Sequence, residues 1–359
     1  LYPVPYSDCI VTSGNSPALF RLGSALECCD LTQYGIEHEL LAQCFMPNIG
    51  GIIAVSYVES QFEFNLISPS VLDYSVIDGT EPAESMLTVN EYIAEDYWYA
   101  VNGSSLPENL QGVRSRADEI SEKYGVRILL SSQCLPACTF AEYPTTTTDQ
   151  MDLADEAASI NAALDSLEEA LSLYPEGFFP QFRSEFGDGG IRIMLVGGFE
   201  SNFNMIGYSV QNSLWHNIYV DIFSEGLVGT YCHEIWHATE DHITSINYGE
   251  FDVVQWAELN PDGFQYIFDP AESILNEGDY TYFGSTKPKD CYFIDGYAKT
   301  NEREDRARIM EYAMTGFFGS ELSEYPHLYA KLRYMSDKIR QYFDTTGWNT
   351  PRWEDALGE

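Results

Sequence analysis

The residues best suited to chemistry lie between positions 230 and 242, which read TYCHEIWHATEDH and hold three of the six histidines of the chain. His233 and His237 are four positions apart, so on a helix their imidazoles share one face and can bind the same metal ion. Glu234 directly follows the first histidine and is placed to act on a water molecule at that ion without binding the ion itself. The pattern predicts an H-E-x-x-H zinc site, and the alternative is two histidines packed in a core.

Two histidines leave zinc short of one protein ligand, because a catalytic zinc site uses three and keeps the fourth position for water. A metzincin would place glycine at position 240 and histidine at position 243, where this sequence has Glu240 and Ile243. His242 lies one position before the place of that ligand. We expect it to face solvent or to contact a zinc ligand without binding the metal itself. In the gluzincin class a glutamate from a later helix is the third ligand, and the candidates here are Glu258, Glu277, Glu302, Glu304 and Glu311.

Two short blocks resemble the gluzincin family of zinc peptidases. HEIWHATED is similar to the H-E-x-x-H-A-x-x-D form of thermolysin, with Ala238 and Asp241 at the matching positions. YAKTNEREDRARIMEYAM, which begins at Tyr297, resembles a segment of the anthrax lethal factor catalytic domain that reads Y-x-x-T-N-E-x-E. The resemblance implies that Tyr297 donates a hydrogen bond in the transition state and that Glu304 is the third zinc ligand.

The helical periodicity around Glu304 agrees with that role. Glu304, Ala307 and Glu311 fall on one helix face, so Glu304 can project from the edge of the core. The alternative is a solvated face with nearby arginines as ion-pair partners, namely Arg303, Arg306 and Arg308. Glu258 is the second candidate, because its interval from His237 is close to that in thermolysin. However, its surrounding sequence WAELNPDG predicts a turn within two residues of Glu258.

Composition excludes some classes of function. The chain has 359 residues, with 56 acidic and 18 basic side chains and a net charge of −38. Nucleic-acid binding is disfavoured, because no run of Lys and Arg offers a basic footprint. No apolar run reaches the roughly 18 residues that a membrane span needs. The eight cysteines and a first residue other than Met are compatible with a secreted or cell-surface-anchored protein, and the sequence leaves disulfide pairing and oligomeric state open.

The elements fall into two predicted regions, 1–100 and 101–359. The first region reads as a β-rich accessory domain and connector, with apolar runs such as GIIAVSYV and FEFNLI separated by Gly, Asn, Ser and Pro. The second region alternates helices and strands: a helix from Pro107 to Gly125, the strand VRILLSS, a long helix ending before Pro175, and the strand IRIMLVGG.

The motif helix must follow the next strand, LWHNIYVDIF, whose Ile218, Val220 and Ile222 share one side. Ser224 is predicted to cap this helix near Glu225. The edge of this strand could bind an extended substrate by strand addition. A helix after Pro326 repeats apolar residues at helical spacing: Leu328, Leu332, Met335, Ile339 and Tyr342. We therefore expect an α+β protein with a zincin-like metallopeptidase domain, in which a mixed sheet, an active-site helix and a helical C-terminal part follow the small β-rich domain.

The predicted function is peptide-bond hydrolysis with one Zn²⁺ per chain, bound by His233, His237 and Glu304, and with Glu234 as general base. The predicted partner is a peptide or protein substrate. The alternative is a secreted binding or adhesion protein with a structural zinc. Glu234 disfavours it, because a structural site closes its fourth position with protein and needs no base.

Overall fold

The computed structural model describes residues 10–11, 40–46, 51–58, 61–67, 106–134, 143–183, 189–200, 205–212, 215–247, 251, 253–270, 282–283, 289–319 and 321–358. The chain divides into two units. One comprises residues 1–105 with 212–214, and the other comprises residues 106–211 with 215–359.

The first unit contains an antiparallel sheet of four described strands in the order β1-β2-β3-β4. The strands are β1 (Ile10–Val11), β2 (Leu40–Met46), β3 (Gly51–Val58) and β4 (Gln61–Ile67). The two apolar runs predicted as strands form β3 and most of β4, which pair from Val58 with Gln61 to Ile52 with Ile67.

The second unit is built on a small mixed sheet in the order β5-β7-β10-β9. Its strands are β5 (Arg127–Leu130), β7 (Gly190–Val196), β9 (Gly207–Asn212) and β10 (Trp215–Asp221), and a separate pair consists of β6 (Thr145–Thr146) and β8 (Gly198–Phe199). β5 and β10 run parallel to β7, which lies between them and is buried along its whole length. β9 and β10 are neighbours in the sheet and are joined by two residues, so they form a hairpin. At the end of the hairpin away from this connection, the Asp221 amide donates to the Ile206 carbonyl.

The helices of this unit are α1 (Gln111–Tyr124), α2 (Glu156–Ser172), α3 (Leu227–Asn247), α4 (Val253–Glu258), α5 (Glu302–Met314), α6 (Pro326–Tyr342) and α7 (Arg352–Leu357). α1 ends at Gly125, whose φ of 74° is the left-handed conformation that glycine adopts without strain. α2 begins at Asp155, whose side chain accepts from the Ala158 amide. The predictions of α1, α2, α6, β5 and β7 are confirmed.

The motif helix α3 differs from its prediction at the start. It begins at Leu227, and the preceding Gly226 has a φ of 73°, so the helix does not start at Glu225. Ser224 is therefore not its cap. The Ser224 hydroxyl instead bonds to the Asp221 carboxylate. The packing face of α3 is as expected, since Tyr231, Ile235 and Ala238 are fully buried.

The described residues together form a mixed α and β protein, as predicted. Within them, no helix combines the length and the apolar character needed to cross a membrane. Three cysteines have described side chains. Cys232 and Cys291 are buried free thiols. Cys134 is also buried, and its thiol donates to the Leu195 carbonyl. The side chains of the other five cysteines lie outside the described residues.

Candidate metal centre

Three potential metal ligands from two helices converge at one point. His233 and His237 lie on α3 and are 8% and 7% exposed, and Glu304 lies in the first turn of α5. The Nε2 atoms of the two histidines are 3.2 Å apart. The Glu304 Oε2 atom lies 3.0 Å from the His233 Nε2 atom and 3.5 Å from the His237 Nε2 atom. The three sequence-predicted ligands are thus brought together.

These separations fit a tetrahedral zinc site. Zinc ligands at bond lengths of about 2.0 to 2.2 Å lie roughly 3.3 to 3.6 Å from one another in a tetrahedron. The observed separations of 3.0, 3.2 and 3.5 Å need only small adjustments to reach that geometry. Two imidazoles and one carboxylate are also a donor set typical of catalytic zinc.

The electrostatics of the cluster favour a cation. Burial by itself would lower the pKa of His233, but hydrogen bonds to the Glu304 and Glu311 carboxylates outweigh it and raise that pKa to about 10. Burial by itself would raise the pKa of Glu304, yet the two histidines hold it well below its usual range. The carboxylates therefore stabilise positive charge at the point where the imidazoles meet.

The start of α5 places Glu304 by a local cap. The Asn301 side chain accepts hydrogen bonds from the Arg303 amide at 2.9 Å and from the Glu304 amide at 3.0 Å. This is an N-cap arrangement, which fixes the first turn of a helix and leaves its side chains in defined directions. Glu304 accordingly projects from a rigid helix end towards α3.

Two ion pairs join the helices that carry the ligands. Arg306, which is 3% exposed, donates through Nε and Nη2 to the Glu240 carboxylate on α3, with an Nε to Oε2 distance of 3.0 Å. Arg303 pairs with Asp241 at 2.7 Å. Arg303 and Arg306 thus bind carboxylates of the motif helix, and they hold α5 against α3 next to the cluster.

Glu311 hydrogen-bonds to His233, one of the three potential metal ligands. Its Oε2 atom lies 3.3 Å from the His233 Nδ1 atom, so the carboxylate accepts from the ring nitrogen that faces away from Glu304. Arg308 donates to Glu311 and also to Asp295, at 2.9 Å from Nε to Oδ2. A Cβ on Gly229 would stand 3.0 Å from the Glu311 Oε1 atom, so this glycine makes room for the carboxylate. In the sequence, helical spacing places Glu304 and Glu311 on the same helix face. That spacing alone could not tell whether Glu311 binds the metal or contacts a ligand.

Glu234 lies in the pocket beside the ligands and is 4% exposed. Its Oε2 atom has no hydrogen-bond partner among the described residues. Burial raises the pKa of this carboxyl. The side chain is held near the cluster without joining it, which is the arrangement expected of a base that does not bind the metal.

Tyr297 lies beside His233, with 6.3 Å between the ring centroids. It begins a 3-10 turn, Tyr297–Lys299, and its carbonyl accepts from the Thr300 amide. Burial raises the pKa of the phenol, and the neighbouring carboxylates of Glu304 and Glu234 raise it further. The phenol thus stays protonated and can donate a hydrogen bond towards the cluster, where Glu304 accepts it.

A pocket of about 760 Å³ opens over this cluster. Strand β9 lines the pocket from Gly207 to Gln211, and Tyr297, Thr300 and Pro270 also line it. The prediction that β10 offers its edge was wrong, because β10 lies between β7 and β9. Among the described strands of this sheet, β9 is the edge that faces the pocket.

Other sequence candidates lie elsewhere. Glu258 is exposed at the end of α4, away from the cluster, and Glu302 is not part of it. Glu277 lies outside the described residues. The expectation that His242 faces solvent or supports a ligand was wrong: it is buried, with its ring 4.7 Å from Phe182 and 5.7 Å from His216.

Comparisons of the chain with protein-family models, with curated proteins and with solved structures found no match.

Proposed function

We propose that this chain is a zinc-dependent peptidase of the gluzincin type, with one zinc ion per chain and a zincin-like second unit. The observation that carries the proposal is the convergence of Glu304 with His233 and His237 at separations of 3.0 to 3.5 Å. The mixed sheet followed by the motif helix, and the helices after it, support the fold assignment. When bound, zinc would polarise the scissile carbonyl and lower the pKa of water at its open position.

Glu234 acts as the general base in this proposal. It takes a proton from the attacking water and delivers that proton to the leaving amine, which has to depart as a neutral group. Its support is positional, since it follows a ligand on α3, lines the pocket and has an oxygen without a partner among the described residues. A structural zinc site has no use for such a carboxylate.

Tyr297 donates a hydrogen bond from its phenol to the oxygen that becomes negative as the carbonyl is attacked. The support is its place in the pocket wall beside His233 and its hydrogen bond to Glu304. Removal of a comparable donor from other enzymes costs about 2.7 to 4 kcal/mol in the transition state.

An extended peptide fits the shape of the site. The edge strand β9 lies along the pocket next to Glu234, and an edge offers main-chain donors and acceptors to an added strand. Such pairing would hold the peptide backbone across the ligand cluster without selecting its side chains. The proposed substrate class is therefore peptides and proteins in extended conformation.

The test compares the zinc-loaded protein with two variants on casein and on a library of quenched fluorescent peptides. We expect the wild type to hydrolyse peptides, to lose activity with a chelator and to regain it with zinc. Glu234→Gln should keep one zinc per chain and lose hydrolysis, because it removes the base but no ligand. Tyr297→Phe should also keep zinc and should lower kcat by roughly a hundredfold.

Glu258→Gln is the matched control, since it makes the same chemical change at an exposed glutamate outside the pocket. It should behave as wild type. A wild-type protein that binds zinc but cleaves no peptide would overturn the proposal and favour a structural metal site. Loss of zinc from Glu234→Gln would make Glu234 a ligand and would require another base.

A further inference from the structure

The pocket is lined by a group of large apolar side chains that take no part in the proposed chemistry. Met205, Ile206 and Tyr208 come from β9 and the residues just before it, and Tyr143 comes from another part of the chain. Ile206 is 37% exposed, and Tyr143 and Met205 are half-buried. We call these four residues the tyrosine patch. Apolar surface of the patch is therefore open to the pocket.

Aromatic contacts hold the two tyrosine rings of the patch in place. The rings of Tyr143 and Tyr208 meet edge to face, with 5.4 Å between their centroids and an interplanar angle of 70°. Tyr208 in turn stacks on Tyr219 of strand β10, with 4.5 Å between the centroids, and it meets Phe199 edge to face at 5.5 Å. Rings that are already packed lose little freedom when a ligand binds to them.

The backbone around Tyr143 is anchored as well. The Thr145 hydroxyl donates to the Tyr143 carbonyl at 2.7 Å, and the Glu200 amide donates to the Pro144 carbonyl at 2.9 Å. Thr145 also pairs with Phe199 where β6 meets β8. Tyr143 is therefore fixed both through its main chain and through its ring.

Two residues of the patch share one face of β9. A Cβ at Gly207 would press on the Glu234 carboxylate, so position 207 points towards α3. Side chains alternate along a strand, and Ile206 and Tyr208 therefore point to the other face. A peptide that pairs with the edge of β9 alternates in the same way. Every second side chain of that peptide would then lie next to the patch.

We propose that the tyrosine patch binds a large apolar side chain of the substrate, above all an aromatic one, with Tyr143 as the main contact. The inference rests on the proposed peptidase function, and it adds side-chain selection to a strand edge that pairs with any backbone. A substrate ring can pack against Tyr143 in the geometry that Tyr143 and Tyr208 already adopt. Favoured substrate positions should lie two residues apart, because the side chains between them face α3.

Quenched fluorescent peptides with a single Phe moved along otherwise polar positions measure this preference. For the zinc-loaded wild type, kcat/KM should be about tenfold higher with Phe than with Ser at a favoured position. Tyr143→Ala should lose most of this gain through a higher KM, with kcat nearly unchanged, because the contact is made equally in the ground state and the transition state. Tyr143→Phe keeps the ring and should keep the gain.

A second variant tests the patch at another position. Ile206→Ser removes an exposed apolar side chain from the same face of β9, and it should reduce the gain by about threefold. It also keeps the inference testable if Tyr143→Ala lowers the midpoint of thermal unfolding. Zinc content should stay at one per chain in both variants.

Tyr124→Ala is the matched control. Tyr124 on α1 is a half-buried tyrosine that meets one phenylalanine ring, Phe179, edge to face at 6.4 Å. It is not among the described residues that line the pocket. The control removes the same atoms as Tyr143→Ala and should keep the full preference for Phe. An equal loss of preference in Tyr124→Ala would overturn the role of the patch.

Peptide binding to zinc-loaded Glu234→Gln, with and without Tyr143→Ala, separates this inference from the proposed function. Hydrolysis by the wild type with a Phe preference that Tyr143→Ala and Ile206→Ser leave unchanged, or with no such preference, would overturn the role of the patch and leave the peptidase intact. Binding that depends on Tyr143, without hydrolysis by the wild type, would overturn the peptidase and support the patch. Absence of both binding and hydrolysis would overturn both.

Discussion

Gly207 on the edge strand β9 lies directly against Glu234 on the motif helix. A Cβ at position 207 would stand 3.0 Å from the Glu234 Oε1 atom and 3.1 Å from the Thr230 Cγ2 atom. Both distances are shorter than ordinary van der Waals contact, so a side chain here would push the carboxylate or the strand aside. The absence of a side chain therefore sets how closely β9, which lines the pocket, approaches the proposed base.

Gly207→Ala should lower kcat/KM by about ten- to a hundredfold, because small displacements of a catalytic group are costly. Zinc content should stay at one per chain, since the three atoms nearest to the new methyl group belong to Glu234 and Thr230, which are not proposed ligands. Gly112→Ala is the matched control: nothing lies within 4 Å of a Cβ there, and it lies in helix α1. That variant should be fully active and more stable by up to about 1 kcal/mol, since Gly112 lies in the first turn of the helix. Wild-type kinetics in Gly207→Ala would contradict the prediction.

Glu304→Ala should lose zinc and activity together, because it removes one of three ligands. Glu258→Ala should keep both and change stability by no more than about 0.5 kcal/mol, as expected of an exposed charge. Metal content after dialysis and peptide hydrolysis give the two readouts. Should Glu304→Ala stay fully loaded with zinc while Glu258→Ala loses it, the assignment of the third ligand would be reversed.

Glu311→Gln should weaken zinc binding by about ten- to a hundredfold without abolishing it. The carboxylate accepts from the His233 Nδ1 atom and so orients the ring and raises the basicity of the Nε2 atom that would bind the metal. An amide of the same size keeps the packing but loses the charge. Competition with a zinc-binding dye measures the affinity, and Glu302→Gln on the same helix is the control. Equal affinities in the two variants would show that Glu311 has no effect on the ligand.

His242 should make the protein less stable as the pH falls below about 6.5. Burial lowers the pKa of His242 to about 4, whereas the unfolded chain takes up the proton near 6.5. Between these values the unfolded state binds more protons, so stability rises with pH and is lost as pH decreases. At pH 5 the loss attributable to His242 is about 2 kcal/mol. The neighbouring His216, whose pKa burial lowers to about 3, adds a loss of the same sign.

Urea unfolding of wild type and His242→Phe at pH 7.5 and pH 5 tests this linkage. The variant keeps an aromatic ring among Phe182, His216 and Phe343. It should lose less stability than wild type between the two pH values, while carboxylates that titrate in the same range affect both proteins alike. An identical difference in both proteins would mean that His242 is not neutral in the folded state.

Local pattern alone was enough to predict the two histidines of the proposed site. A spacing of four on a helix places His233 and His237 on one face whatever the rest of the chain does, because 3.6 residues make one turn. The same holds for α1, α2, α6 and β7. Their apolar periodicity, and the Pro and Gly residues at helix ends, involve only residues that are close together in the sequence. Such features depend on neighbouring residues and are therefore visible in the sequence.

Tertiary structure decided which glutamate lies beside the two histidines. Glu304 lies 71 positions after His233, and only the packing of α5 on α3, through the pairs Arg306 with Glu240 and Arg303 with Asp241, selects it over Glu258 and Glu311. The pairing of the strands likewise decided which strand is the edge of the sheet. The buried pattern of β10 does not reveal that β9 pairs with the side of β10 that faces away from β7. His242 was misjudged for the same reason: the rings of Phe182 and Phe343 that bury it come from distant parts of the chain, and a polar residue on a helix carries no local sign of such neighbours.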